Sequence, residues 1–82
     1  MTGPAQLRAR PQDISRFLKQ LRESRGVSQR ALAARLGVSQ ARVARLERGV
    51  NAPQLNTITA YVAALGGTLS LHADFDVPDS TP

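Results

Sequence analysis

Apolar residues recur at three- and four-residue intervals in four stretches of the chain, a spacing that predicts short amphipathic helices. The first predicted helix runs from about Gln12 to Arg25 and the fourth from about Leu55 to Leu65. Each carries one apolar stripe: Ile14, Phe17, Leu18 and Leu21 in the first, and Leu55, Ile58, Val62 and Leu65, with Tyr61 beside them, in the fourth. Pro11 is typical of a helix start and Gly66 of a helix end.

Two shorter helices are predicted between these, over Gln29–Leu36 and from Gln40 to about Arg48. Ser28 and Ser39 each precede one of them, and serine is a favoured N-cap residue. A glycine follows each helix, at Gly37 and Gly49, where a left-handed residue commonly ends a helix. The apolar positions that should face the core are Leu32, Ala33, Leu36, Val38, Val43 and Leu46.

After the helices the pattern changes to strict alternation, which is typical of a half-buried strand. Its six residues are Thr68, Leu69, Ser70, Leu71, His72 and Ala73. A single strand leaves its backbone groups unpaired, and the sequence contains no second candidate. We therefore expect the strand to pair with the same strand of a second copy.

The predicted fold class is thus all-α with a short C-terminal β-strand, the strand being paired across a homodimer. The expected organisation has four parts: a flexible basic arm at 1–11, a helical domain at 12–66, a dimerisation strand at 67–74 and a disordered acidic tail at 75–82.

The net charge of +5 is unevenly distributed along the 82 residues. Residues 12–50 hold nine basic side chains against three acidic ones, whereas residues 51–73 hold no formal charge and the last nine residues hold three aspartates. Ten of the eleven basic residues are arginine, whose planar donors suit phosphates and guanine edges. A basic block is compatible with nucleic-acid binding, but also with an ordinary solvated surface.

Several function classes find no support in the composition. The chain has no cysteine and only one histidine, so no metal site is expected. No Ser/His/Asp set, phosphate loop or carboxylate pair is evident, so we predict neither an enzyme nor a cofactor. No secretory signal and no apolar run of about 18 residues is present, so no membrane contact and a cytoplasmic location are expected.

The segment from Ser28 to Gly49 combines two short helices with a tight Gly-Val-Ser turn, which predicts a helix-turn-helix with residues 28–49 as its motif. The outward positions of its second helix are Gln40, Ala41, Arg42, Ala44, Arg45 and Arg48. Glutamine pairs with adenine, arginine with guanine, and alanine contacts the thymine methyl group in the DNA major groove. These positions therefore predict a recognition helix for double-stranded DNA.

The stretch SQRALAARLGVSQARVARLERG resembles the Xre/Cro family, which includes the phage lambda-type repressors. The resemblance implies base reading by Gln40, Ala41, Arg42 and Arg45, although a phosphate contact is an open alternative for Arg42. It implies phosphate contacts from Gln29, Arg30, Ser39, Arg48 and Asn51, although Gln29 is also compatible with a simple helix-capping role. It further implies a structural ion pair between Arg22 and Glu47.

The later stretch LNTITAYVAALGGTLSLHADF resembles the end of HigA-type antitoxins and is similar to HipB, in which a terminal strand joins the dimer. This resemblance implies an autoregulating repressor that binds an inverted-repeat operator as a homodimer, with a cognate toxin as a further partner. Three alternatives remain open: a free-standing or phage-type regulator without a toxin, an interaction module that mainly neutralises a toxin, and a nonspecific architectural DNA binder.

Overall fold

The structure, a computed structural model, describes residues 10–75, and these residues form four helices and no strand. The helices are α1 (Pro11–Ser24), α2 (Gln29–Leu36), α3 (Gln40–Arg48) and α4 (Leu55–Ala64). The helix-turn-helix part of the predicted fold is confirmed, whereas the predicted C-terminal strand is absent from the described residues, and every helix end lies within one residue of its predicted position. Residues 1–9 and 76–82, which include most of the predicted arm and tail, lie outside the described residues.

Local capping explains why α2 and α3 begin and end where they do. The Ser28 hydroxyl accepts a hydrogen bond from the Ala31 amide at 3.0 Å. The Ser39 hydroxyl likewise accepts from the Arg42 amide at 3.1 Å. Gly37 ends α2 and Gly49 ends α3, both in the left-handed conformation, with φ of 72° and 74°. The turn between α2 and α3 is therefore fixed by its own residues.

The core lies where α1 and α2 each pack against α3 and α4. Leu18, Leu32, Val43 and Tyr61 are at most 1% exposed, so each of the four helices contributes at least one fully buried side chain. Ala33, Val62 and Leu65 are also buried, and Ile14, Leu21, Leu36 and Leu46 pack around them. Because α3 is held by both α1 and α2, its outer face is presented on a rigid support.

The strand predicted over residues 68–73 is not formed in this chain. A strand needs a neighbouring backbone for its hydrogen bonds, and residues 10–75 offer no second extended element beside it. Residues 66–75, here called the C-terminal segment, are held to the core through half-buried Leu69. Leu71 is 71% exposed and Phe75 is 84% exposed. The segment therefore leaves apolar side chains in solvent.

No helix within residues 10–75 combines the length and the apolar character needed to cross a lipid bilayer.

Candidate nucleic-acid interface

Helix α3 has an inner and an outer side with different roles. Val43 and Leu46 face inward, with Val43 only 1% exposed. The four residues predicted to read bases all lie on the exposed side of α3: Gln40, Ala41, Arg42 and Arg45. The structure therefore places these four residues together on one helix, and none of their side chains belongs to the core.

The residues predicted to contact phosphates are spread around α3 rather than along it. Arg30 lies in the first turn of α2, Arg48 at the end of α3 and Asn51 in the loop before α4, and all three are exposed. Ser39 is exposed and caps α3, and its hydroxyl hydrogen remains available because the capping bond uses only an oxygen lone pair. Gln29 differs from the others because it is half-buried and its amide donates a hydrogen bond to a side chain of another helix.

The charge of this face is positive and uncompensated over residues 10–75. Within that range no carboxylate forms an ion pair with Arg30, Arg42, Arg45 or Arg48. The acidic residue on α3 itself, Glu47, is neutralised by Arg22. Arginines arranged in this way attract a polyanion at long range and offer paired donors at short range.

Arg22 and Glu47 form a buried ion pair between α1 and α3. Arg22 Nε donates to Glu47 Oε2 at 2.7 Å, and Nη2 donates to Oε1 at 2.8 Å. The remaining guanidinium nitrogen donates to the Val27 carbonyl at 2.8 Å. The side chains of Arg22 and Glu47 are only 8% and 2% exposed. A bidentate geometry of this kind fixes the position of α3 relative to α1.

Two further side chains reach the same carboxylate, and the sequence analysis did not find them. The Tyr61 hydroxyl on α4 lies 2.5 Å from Glu47 Oε2 and 3.0 Å from the Leu18 carbonyl. A phenol has one hydrogen, and the charged carboxylate is the stronger acceptor, so Tyr61 donates to Glu47. Gln29 Nε2 on α2 donates to Glu47 Oε1 at 3.1 Å. Glu47 thus joins α3 to each of the other three helices.

These contacts change the acidity of Glu47 and Tyr61 in opposite directions. Burial alone would raise the pKa of Glu47, but hydrogen bonds from Arg22, Tyr61 and Gln29, together with the charge of Arg22, outweigh it and lower that pKa. Burial, and then the adjacent carboxylate, raise the pKa of Tyr61. At neutral pH Glu47 is therefore charged and Tyr61 keeps its proton.

Residues 10–75 contain no group of three acidic, histidine or cysteine side chains that could hold a metal ion. The chemistry available on this face is recognition, by arginine, amide and hydroxyl donors.

Comparison with known proteins places this chain in a helix-turn-helix family. The helix-turn-helix family HTH_3 matches residues 18–71. Putative antitoxin HigA3 of Mycobacterium tuberculosis is 45% identical over 64 residues, which are 76% of this chain and 59% of that protein. Putative antitoxin HigA2 of the same organism is 38% identical over 55 residues, 66% of this chain and 54% of that protein.

Two further matches agree with these. An uncharacterized HTH-type transcriptional regulator of Haemophilus influenzae is 44% identical over 50 residues, 61% of this chain and 51% of that protein. This chain thus spans between half and three fifths of the length of the curated relatives it matches. A solved structure described as "Induced DNA bending by unique dimerization of HigA antitoxin" has a TM-score of 0.67 and 43% identity, and the match covers 88% of both chains.

Proposed function

This chain belongs to the Xre-type helix-turn-helix family HTH_3 and resembles HigA antitoxins, and on that basis we propose that it is a sequence-specific DNA-binding repressor. The observation that carries the proposal is the exposed outer side of α3. Gln40, Ala41, Arg42 and Arg45 are free for base edges because the core uses only the opposite side of the helix.

In this proposal α3 enters the major groove while the surrounding residues hold the DNA backbone. Phosphate contacts come from Gln29, Arg30, Ser39, Arg48 and Asn51. When the arginines among them neutralise phosphates, counterions are released from the DNA, so the affinity should fall steeply as the salt concentration rises. Base contacts then select the sequence, because phosphate contacts alone carry no sequence information.

The second element of the proposal is a homodimer. The solved HigA structure is described as dimerising, and this chain exposes Leu71 and Phe75 on its C-terminal segment. We expect two copies to pair through these segments, each supplying the neighbouring backbone that a strand needs. A two-fold dimer places its recognition helices about 34 Å apart, so the operator should be an inverted repeat.

The third element is the role of an antitoxin. Two of the curated relatives are putative HigA antitoxins, which favours a cognate toxin as partner and repression of the chain's own operon. The alternative is a regulator without a toxin, which is favoured by the Haemophilus relative, named as a transcriptional regulator only. Co-purification with the product of the neighbouring gene separates these two functions.

Selection of duplexes from a random-sequence pool tests the DNA-binding proposal directly. We expect an inverted repeat to be enriched and the bound species to contain two copies of the chain. Gln40→Ala should weaken binding to the selected duplex by about 1–3 kcal/mol, the cost of one lost base pairing. Lys19→Ala, an exposed change on α1 outside the proposed interface, is the matched control and should bind like the wild type. Equal affinity for the selected duplex and random DNA would instead indicate an architectural binder.

A further inference from the structure

Gln29 is the one proposed phosphate contact whose side chain donates a hydrogen bond to another side chain of the protein. It is the first residue of α2 and half-buried, and its amide nitrogen donates to Glu47 Oε1 at 3.1 Å. The orientation of this amide therefore depends on the acceptor beneath it.

A carboxylate offers only acceptors, which determines which way the Gln29 amide must point. With its nitrogen toward Glu47, the amide makes a hydrogen bond to a charged group. Rotated by half a turn, it would place its carbonyl oxygen against the carboxylate. The nitrogen carries two hydrogens and Glu47 uses one, so the second is left for another acceptor. Phosphate oxygens in DNA are such acceptors.

Glu47 is itself held from two other sides. Arg22 binds both carboxylate oxygens from α1, and Tyr61 donates to Oε2 from α4. The Glu47 side chain is 2% exposed, so water does not replace these partners. The carboxylate is consequently a fixed point against which the Gln29 amide is oriented.

We infer that Glu47 and Tyr61 are positioning residues for DNA binding, which hold the Gln29 amide so that its second hydrogen donates to a DNA phosphate. The inference rests on the proposed function, because it needs a DNA backbone beside the first turn of α2. Helix α4 supplies no proposed DNA contact, but in this inference its Tyr61 side chain influences the interface through hydrogen bonds. Tyr61 acts through Glu47, and Glu47 acts through Gln29.

A double-mutant cycle between Tyr61 and Gln29 tests this connection. Affinity for the selected duplex is measured for the wild type, Tyr61→Phe, Gln29→Met and the double variant, at one salt concentration and well below the melting temperature of each. Gln29→Met should weaken binding about tenfold or more, the range for one hydrogen bond to a charged phosphate. Tyr61→Phe should weaken binding about two- to threefold in the wild-type background, as part of that same bond. In the Gln29→Met background Tyr61→Phe should have no effect, because no amide remains to be oriented.

A merely structural role for Tyr61 gives a different pattern. In that case Tyr61→Phe would weaken binding by the same factor in both backgrounds, which overturns the inference. The inference is also overturned when Gln29→Met binds like the wild type. Gln40→Ala and Arg45→Ala are measured in parallel: when they also bind like the wild type, the proposed function has failed, and when they bind weakly, only the role of Gln29 has failed.

Nuclear magnetic resonance of the full chain without DNA supplies a second readout. The side-chain amide of Gln29 should be rigid on the nanosecond timescale in the wild type, with an order parameter close to that of the backbone. Tyr61→Phe should lower this order parameter while the backbone values of α2 remain unchanged. An amide of Gln29 that is equally mobile in both proteins contradicts the inference.

Discussion

The Cα atom of Gln12 lies 2.8 Å from the place that a Cβ atom on Gly49 would occupy. Gln12 is in the first turn of α1 and Gly49 ends α3, so the start of the first helix rests directly on the end of the proposed recognition helix. Only a glycine permits this approach, since its φ of 74° is also unfavourable for residues with a side chain.

Gly49→Ala should therefore destabilise the protein for two reasons at once. The left-handed conformation costs an alanine about 1–2 kcal/mol, and the overlap with Gln12 adds a cost of similar size, so we expect a loss of about 3 kcal/mol. Urea unfolding at a fixed protein concentration measures it. Gly37→Ala is the matched control, because its φ is 72° and no atom lies within 4 Å of the added carbon. Equal losses for both variants would show that the close approach is absent.

Ser15 is fully buried, and its hydroxyl has no hydrogen-bond partner among residues 10–75. Burying a hydroxyl without a partner is unfavourable, and alanine is a better helix former. Ser15→Ala should therefore leave the free energy of unfolding unchanged or raise it by about 1 kcal/mol. Ser15→Thr adds a methyl group at the same position and should instead lower it by about 1 kcal/mol or more. A clear loss of stability in Ser15→Ala would mean that the hydroxyl has a partner.

The buried carboxylate of Glu47 should make the fold sensitive to acid. Its pKa is lowered in the folded protein from an ordinary value of 4.5. A lowered pKa means that the stabilisation is complete above the unfolded value and is lost as the pH falls through the folded value. We expect the free energy of unfolding to decrease below about pH 4.5, where the unfolded carboxyl group takes up its proton first.

Variants at the ion pair identify the origin of this acid sensitivity. Arg22→Met alone leaves the charge of Glu47 buried without its main partner and should cost about 3–5 kcal/mol. Arg22→Met/Glu47→Leu removes both charges and should recover most of that loss. In the double variant the decrease of stability below pH 4.5 should be smaller. If the free energy of unfolding decreases equally below pH 4.5 in the wild type and the double variant, the acid sensitivity comes from other carboxylates.

Arg45 and Arg30 should contribute to DNA binding in distinguishable ways. Arg45→Ala should cost about 1–3 kcal/mol on the selected duplex and relax the preference at one base position. Arg30→Ala should weaken binding to all duplexes by a similar factor and lower the slope of log affinity against log salt by about 1. Titrations of the selected and a scrambled duplex at several salt concentrations separate the two. If the two variants show the same pattern, the division into base and phosphate contacts is wrong.

Leu71 and Ser70 offer a matched test of the proposed dimer, because both are exposed neighbours that alternate in the predicted strand pattern. Leu71→Asp places a charge where apolar contact is expected and should weaken dimerisation about tenfold or more. Ser70→Asp adds the same charge on the other face and should leave the dimer intact. Sedimentation equilibrium measures both. A Leu71→Asp protein that remains as dimeric as the wild type contradicts pairing through the C-terminal segment.

Features determined by neighbouring residues were predictable from the sequence pattern, whereas contacts between distant residues were not, apart from the Arg22–Glu47 ion pair that the family resemblance implied. Ser28 and Gly37 act on residues within one helical turn, so the bounds of α2 follow from local chemistry. The contacts of Gln29 and Tyr61 with Glu47 span 18 and 14 positions and depend on how the helices pack. Without that packing, Tyr61 was grouped with the apolar stripe of α4, and the polar end of its side chain had no assigned role.

The predicted strand shows a different limit. Alternation over residues 68–73 indicates how the side chains would divide between two faces, but a strand also requires a neighbour. The described chain has none, so Leu69 packs on the core while Leu71 remains exposed. Sequence pattern alone therefore could not determine whether this segment forms a strand, because alternation does not supply the neighbouring backbone.

The division of α3 into two independent sides has a practical consequence for protein engineering. Val43 and Leu46 pack in the core and Glu47 forms the buried ion pair, while the side chains on the opposite side of α3 are exposed and lie outside the core. A library randomised at Gln40, Ala41, Arg42 and Arg45 should therefore retain folded members at high frequency, and under the proposed function it should yield variants that bind new operators without compensating substitutions elsewhere.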